Sequence, residues 1–237
     1  MSHYLSFVPS CEDLAQKLIK QYGFFCDAQI MPRLHLNETG LFLLDRDHKE
    51  LHIDWNDAQW KQRAKGGSGA DPLIRATGAG QPLQILDLTA GWGKDGLLMA
   101  QAGAHVTLLE RNPYMAALLQ YAHERLEDKR LQSRIQVIYA DAMAYLKALL
   151  PKDYPQVIYI DPMHPKREKS AKVKKHLQVL QALVPPNEDV SALITLAASK
   201  VLQQVVLKWP AKALPPVVSH HTYKGKTIRY EVYLPQK

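Results

Sequence analysis

Gln84-Ile85-Leu86-Asp87-Leu88-Thr89-Ala90-Gly91-Trp92-Gly93-Lys94-Asp95-Gly96 is the stretch that decides the fold. Ile85, Leu86 and Leu88 form a short apolar run that reads as a buried strand. The run breaks at Ala90-Gly91-Trp92-Gly93, and Lys94 to Ala100 then takes up helical spacing. Strand, glycine turn and helix open a Rossmann-like βαβ unit, a platform for a cofactor. Gly91, Gly93 and Gly96 satisfy G-x-G-x-x-G, the pattern that accompanies NAD. The acids of the same stretch oppose that ligand. Asp87 stands near the carboxyl end of the strand and Asp95 in the first helical turn, where a pyrophosphate would lie. Two carboxylates repel a diphosphate, and a helix N-terminus that already carries Asp95 has less positive potential to offer. A ligand without phosphates and with cationic groups matches better. S-adenosylmethionine, with its sulfonium and its ammonium, is the common one. A purely structural βα turn stays open at this point.

Downstream, the pattern alternates. Val106–Glu110 is a second strand, and Pro113–Leu126 a helix with Asn112 as cap and Pro113 in its first position. Ile135–Asp141 is a third strand, followed by a helix over Met143–Leu150. Gln156–Asp161 is a fourth, followed by a basic segment and a helix to about Leu183. Ser191–Lys200 is helical, Gln204–Trp209 is a fifth strand, and two more strands flank Lys224-Gly225. Seven strands in this order predict an α/β domain with a mostly parallel sheet and an antiparallel terminal addition.

Upstream, residues 1–65 have a different character and predict a small α/β appendage to the Rossmann-like domain of residues 66–237. Glu12–Tyr22 reads as a helix, and LFLLDRDHKELHIDW as a hairpin with strands near Leu41–Leu44 and Glu50–Trp55. Tyr4, Phe7, Phe24, Phe25, Trp55 and Trp60 are expected in its core rather than on a base-stacking surface. Lys65-Gly66-Gly67-Ser68-Gly69 separates the two parts, as a linker or as a loop that closes over a ligand. Asp71–Ala76 leads into the first strand as a short helix.

Thirty basic residues against 23 acidic ones give a net charge of +7 and favour an anionic partner. Cys11 and Cys26 have no metal-type spacing and no disulfide framework, so a reducing, cytoplasmic setting is expected and no metal. His220 and His221 also lack partners at ligand spacing. The N-terminus lacks the pattern of a signal peptide, and no apolar run approaches the ~20 residues that span a bilayer. A monomer away from the membrane is the expectation.

Glu110 ends the second strand and suits the two ribose hydroxyls of an adenosine. Asp141 ends the third and suits the adenine amino group, or simply caps the next helix. The most informative stretch is Ile160-Asp161-Pro162-Met163-His164-Pro165, at the end of the fourth strand, where ligands of open α/β sheets bind. Its prolines fix φ and donate no N–H. What remains is acceptors: the Asp161 carboxylate and the carbonyls around Pro162. An exocyclic amine needs that arrangement, because its lone pair is delocalised into the ring and orientation must supply much of the catalysis. Lys166, Arg167, Lys169, Lys172, Lys174 and Lys175 follow, where a phosphate backbone would pass; they read as an RNA or DNA contact rather than a solvated helix face.

DLTAGWGKDG, LLERNP with its following AALL, YIDPMHP and KSAKVKK, in this order and spacing, resemble the bacterial small-subunit ribosomal RNA (guanine-N2)-methyltransferase J family. The resemblance runs from about Gly66 to the C-terminus. It implies a class I methyltransferase fold and methyl transfer from S-adenosylmethionine to N2 of a guanine in 16S rRNA, as naked RNA or in the 30S subunit. It implies cofactor contacts at Lys94-Asp95, Glu110-Arg111, Asp141-Ala142 and Asp161; Asp87, Ala90, Gly91 and Gly93 of the turn complete the set. Asp161, Pro162 and His164 are the expected catalytic residues. Two positions depart from the family pattern: His164 stands where Phe is common, and Asp141 where a small hydroxyl residue is common. The loop chemistry alone leaves open an amino-methyltransferase on another base, such as DNA adenine. A non-catalytic RNA-binding module on the same fold is a further alternative, which the intact Asp87, Glu110 and Asp161 oppose.

Overall fold

The computed structural model describes residues 2–57, 71–162 and 189–236. The glycine-rich break, Trp60, His164 and the basic run Lys166–Lys175 lie outside the described residues, as does the helix expected to end near Leu183.

The chain begins with strand β1 (Tyr4–Phe7) and helix α1 (Glu12–Tyr22), the latter over its expected span. Strands β2 (Phe25–Cys26), β3 (Arg33–Asn37), β4 (Gly40–Leu44) and β5 (Glu50–Leu51) complete a mixed sheet in the order β2-β1-β3-β4-β5. The expected hairpin exists as β4 and β5, paired at Leu43–Leu51 and Leu44–Glu50, but β5 ends four residues before Trp55. Sequence reasoning missed β1, β2 and β3. The tightest hairpin is β3–β4, whose turn closes when Asn37 Oδ1 accepts the N–H groups of Thr39 and Gly40 at 2.9 and 3.1 Å. Leu34 and Leu36 face Leu43 and Leu41 across that pair, and all four are buried on one side.

Helix α2 (Pro72–Thr77) leads to β6 (Gln84–Asp87), α3 (Lys94–Ala102), β7 (His105–Glu110) and α4 (Pro113–Glu124). Next come α5 (Lys129–Gln132), β8 (Ile135–Tyr139), α6 (Ala142–Ala148), β9 (Val157–Ile160), α7 (Val190–Ala198), β10 (Gln204–Pro210), β11 (His221–Lys224) and β12 (Ile228–Tyr233). Capping sets the helix starts: Asn112 Oδ1 accepts from the N–H groups of Tyr114 and Met115, and Asp141 and Asp189 cap α6 and α7 in the same way.

Seven strands run β11-β12-β10-β9-β6-β7-β8. The five from β10 to β8 are parallel, and β12 is antiparallel to both of its neighbours. This is the expected mostly parallel sheet of a class I fold. Its central strands are buried on both faces. Ile85, Leu108, Val157 and Val206 join the core beneath α3 and α4. Leu86, Leu109, Ile158 and Leu207 join the core with α6 and α7. Chain order reverses between β6 and β9, so a crevice opens at their carboxyl ends.

The five-stranded N-terminal sheet and this sheet share one continuous core, which includes Leu5, Leu34 and Trp55 together with Leu97, Leu108 and Leu119. Tyr114 of α4 fastens the two: its hydroxyl donates to Pro32 O at 2.9 Å and accepts from Tyr4 N–H at 2.8 Å. Its ring stacks on Phe24, with centroids 5.6 Å apart. Phe24 and Trp55 are core residues as expected, whereas Phe25 is exposed. Among the described residues no helix is long and apolar enough to cross a membrane.

Candidate active site

The turn after β6 is closed from below. Asp87 Oδ1 accepts Thr89 N–H at 3.0 Å, and Ala90 O accepts Gly93 N–H at 2.7 Å. Gly91 and Gly93 stand at φ +53° and +71°, a region that L side chains avoid. Their surroundings differ. A β-carbon on Gly93 would stand 2.6 Å from Trp55 Cζ2 and 2.8 Å from a Leu119 methyl, so the protein's own side chains fill that side. On Gly91 the nearest atom would be Thr89 O at 3.9 Å, so the backbone there is open to a ligand. Gly96 lets α3 lie against Leu108 of β7, where a β-carbon would run into a Leu108 methyl. Two of the three motif glycines thus serve packing, which any βα ligand would tolerate.

Glu110, at the end of β7, reaches back under the turn. Its carboxylate accepts Gly91 N–H at 2.9 Å and Asn112 N–H at 2.8 Å, one on each oxygen. A carboxylate offers about four acceptor positions, so capacity remains for hydroxyl donors. Burial pushes its pKa up to about 7, against the backbone N–H groups of Asn112 and Gly91 that favour the ionised form. Asp87 lies deeper. Burial pushes it up to about 8, opposed by Thr89 N–H, with the negative charges of Asp95 and Asp161 adding to the rise. Below that pH Asp87 holds a proton, so it acts as a buried acid rather than the ionised group expected from its place in the sequence.

Asp95 and Asp161 meet at a lysine. Lys208 Nζ is 2.6 Å from Asp95 Oδ2 and 2.7 Å from Asp161 Oδ2. Tyr159 OH donates to the same Asp95 oxygen at 2.7 Å. The Asp161 N–H donates to Thr89 Oγ1 at 2.7 Å, which ties the end of β9 to the turn after β6. Burial raises the Asp161 pKa above the usual carboxylate range; the Lys208 ammonium offsets part of that rise, and the charge of Asp95 adds to it. The structure thus brings Asp87, Gly91, Asp95, Glu110 and Asp161 to the carboxyl edge of three neighbouring strands. Pro162 follows as a buried residue, and Ala90 is buried beneath the turn.

Lys94 is exposed at the start of α3, and Arg111 is half-buried beside Glu110. Asp141 is exposed and caps α6 by accepting Ala144 N–H at 2.9 Å, with Ala142 buried behind it. The third strand ends two residues before Asp141, at Tyr139, because that cap already turns the chain. Lys208, Tyr159 and Thr89 were missed from sequence. Lys208 left a signal, as a charge inside the apolar run Gln204–Trp209 at the carboxyl end of a parallel strand. Among the described residues no three His, Cys, Asp or Glu side chains gather to hold a metal ion.

The acceptor set suits a ligand with hydroxyls and positive charge: carboxyl groups surround the turn, and the backbone is open at Gly91. Strand order and this acid-lined turn define a class I S-adenosylmethionine-dependent methyltransferase. The family model described as "Putative SAM-dependent methyltransferase" matches residues 17–235, and the chain belongs to that family. A Legionella pneumophila (strain Corby) relative, named Ribosomal RNA small subunit methyltransferase J, is 41% identical over 226 residues, 95% of this chain and 93% of its own length. A Yersinia enterocolitica protein of the same name is 33% identical over 231 residues, 92% and 91% of the two chains. In fold, the crystal structure of a SAM-dependent methyltransferase from Neisseria gonorrhoeae is similar at a TM-score of 0.79 and 23% identity, covering 98% of this chain and 95% of that one. The likeness reaches well upstream of Gly66, so the appendage belongs to the family pattern too.

Proposed function

We propose that this enzyme transfers a methyl group from S-adenosylmethionine to the exocyclic N2 amine of a guanine in small-subunit ribosomal RNA. The observation that carries the proposal is Asp161. Its backbone is fixed by Thr89, one carboxylate oxygen is fixed by Lys208, and it opens a Pro-containing loop at the sheet's switch point. The name shared by relatives that match over nearly their whole length supports the substrate class.

When bound, S-adenosylmethionine supplies an electrophilic methyl on a positively charged sulfur. The chain's own residues then have separate tasks. Glu110 accepts the ribose hydroxyls beside the open Gly91 backbone, with Asp87, Ala90, Gly93, Lys94, Asp95, Arg111, Asp141 and Ala142 lining or supporting the same pocket. Asp161 accepts one N–H of the amine and the carbonyls around Pro162 accept the other, so that the nitrogen lone pair faces the methyl. His164 stacks on the target base, and Lys166, Arg167, Lys169, Lys172, Lys174 and Lys175 neutralise its phosphate backbone. Charge distribution supports the direction of approach. Acids outnumber bases in residues 1–57, whereas from Gln204 onward the one acid is Glu231. Glu231 is buried against the hydroxyls of Ser219 and Thr222 and paired with Arg229, which leaves Lys212, Lys224 and Lys226 as the exposed charges of that edge among the described residues. The appendage of residues 1–65 acts as a support for the glycine turn, through Trp55.

The test is methyl transfer to 30S subunits and to naked 16S rRNA that lack the modification, with the product nucleoside identified by mass spectrometry. N2-methylguanosine at one site is the expected product. Methylation of adenine or of DNA would overturn the substrate assignment.

A further inference from the structure

Two carboxylates, Asp95 of α3 and Asp161 just after β9, meet at the Lys208 ammonium, beside the buried Asp87 of β6. Lys208 follows Leu207, which is paired with Ile160 in parallel register, so Lys208 and Asp161 are the next residues on adjacent strands. Its ammonium holds Oδ2 of Asp161 and Oδ2 of Asp95 at 2.7 and 2.6 Å. Side-chain exposure rises outward, from 9% at Asp95 through 21% at Lys208 to 33% at Asp161. Asp161 is therefore the member that faces a substrate. Among the described residues its Oδ1 takes no hydrogen bond.

We infer that Lys208 is a positioning residue for methyl transfer, clamping Asp161 through Oδ2 so that Oδ1 stays available as the acceptor for the amine. The inference rests on the role proposed for Asp161. A strand-end aspartate left alone has two free torsions and a repelling acid, Asp95, nearby. It would turn away or take up a proton, and a protonated oxygen donates where the amine needs an acceptor. The same ammonium ties this orientation to Asp95 in the first turn of α3, on the cofactor side, so the two halves of the site are set by one atom. A lysine suits the task, because its compact ammonium can bridge two carboxylates that converge on one point. The titratable groups facing it are Asp87, Asp95, Tyr159 and Asp161, with Tyr230 opposite it on β12.

The experiment compares wild type, Lys208→Met, Lys208→Arg, Asp161→Asn and the double variant Lys208→Met/Asp161→Asn. Turnover and KM are measured on 30S subunits across pH 6–9, S-adenosylhomocysteine binding by calorimetry, and folding by circular dichroism and melting. Lys208→Met is expected to lower kcat about 100-fold, the loss that goes with a misplaced group, with a smaller change in KM. Its acid limb moves to higher pH, since Asp161 loses the cation that favours its ionised form. Lys208→Arg keeps the limb in place with reduced kcat. In the Asp161→Asn background, Lys208→Met costs little more, because the pair acts as a unit. Unshifted limbs, or additive losses in the double variant, would overturn the role of Lys208. A fully active Asp161→Asn would instead overturn the role of Asp161. If Lys208→Met fails to fold, the limb and the kcat of Lys208→Arg and of Lys208→Gln decide: a limb unmoved in Lys208→Gln rejects the clamp.

Discussion

Trp55, which follows the five-stranded sheet, and Gly93, in the turn after β6 of the seven-stranded sheet, touch. A β-carbon on Gly93 would stand 2.6 Å from Trp55 Cζ2, so the glycine turn after β6 is floored by a tryptophan from the first 57 residues. The indole is buried, and among the described residues its Nε1 has no hydrogen-bond partner. Trp55→Ala should therefore destabilise the fold by about 3–5 kcal/mol and weaken S-adenosylmethionine binding with it. Trp55→Phe, which removes the unpaired N–H, should cost far less. Chemical denaturation and calorimetry on the two variants check this; equal losses would show that the ring volume is irrelevant.

The motif glycines should separate in the same way. Gly93→Ala meets both a forbidden φ and two side chains, and should lower the melting temperature sharply. Gly91→Ala meets only the backbone term, about 1–2 kcal/mol, and the space beside it is open, as the proposed cofactor contact requires. It should keep the fold and lose cofactor affinity. A Gly91→Ala enzyme with unchanged affinity would remove that residue from the pocket.

Glu110→Ala should weaken S-adenosylmethionine by about 1–3 kcal/mol, the cost of leaving hydroxyl and backbone donors unpaired. Because Gly91 and Asn112 also lose an acceptor, some stability should go too. Calorimetry on the folded variant separates the two effects, and an unaltered dissociation constant would exclude Glu110 from the ribose.

Asp87 gives stability a pH dependence of defined sign. In the fold it keeps its proton up to about pH 8, while in the unfolded chain it releases it near the ordinary value of about 4. Between those values the unfolded state binds fewer protons, so stability falls as pH rises from about 4 to about 8 and then levels off. Asp87→Asn cannot release a proton, so its melting temperature should gain on wild type steadily between pH 5 and 8. A gap that does not change with pH would mean that Asp87 is ionised throughout.

Salt dependence tests the basic run. Each phosphate contact should add about −0.7 to the slope of log K against log salt on single strands. Lys172, Lys174 and Lys175 changed together to Ala should shallow that slope by up to about two units, with S-adenosylmethionine binding unaltered. Titration of an rRNA fragment at several salt concentrations reads it, and a slope equal to wild type would make these ordinary surface lysines.

The sequence by itself determined the class. The strand, turn and helix of Gln84–Ala102, the Asn112 cap with Pro113, and the alternation through β10 are local signals, set by periodicity, capping and glycine conformation within a few residues. Acids at strand ends could be named for the same reason: a parallel strand puts its last residue at the carboxyl edge whatever surrounds it. Tertiary structure alone decided their partners. β1 and β2 are short strands that exist because they pair with residues far along the chain, and nothing near them in sequence announces it. Asp87 read as a charged carboxylate at the carboxyl end of its strand and is a buried acid, because burial depends on the layers stacked over it. Lys208 follows Asp161 by 47 residues and Asp95 by 113, and only parallel pairing of β9 with β10 brings the three together. Charge pairing, and the proton affinity that follows from it, is a property of distance in space, which spacing along the chain does not encode.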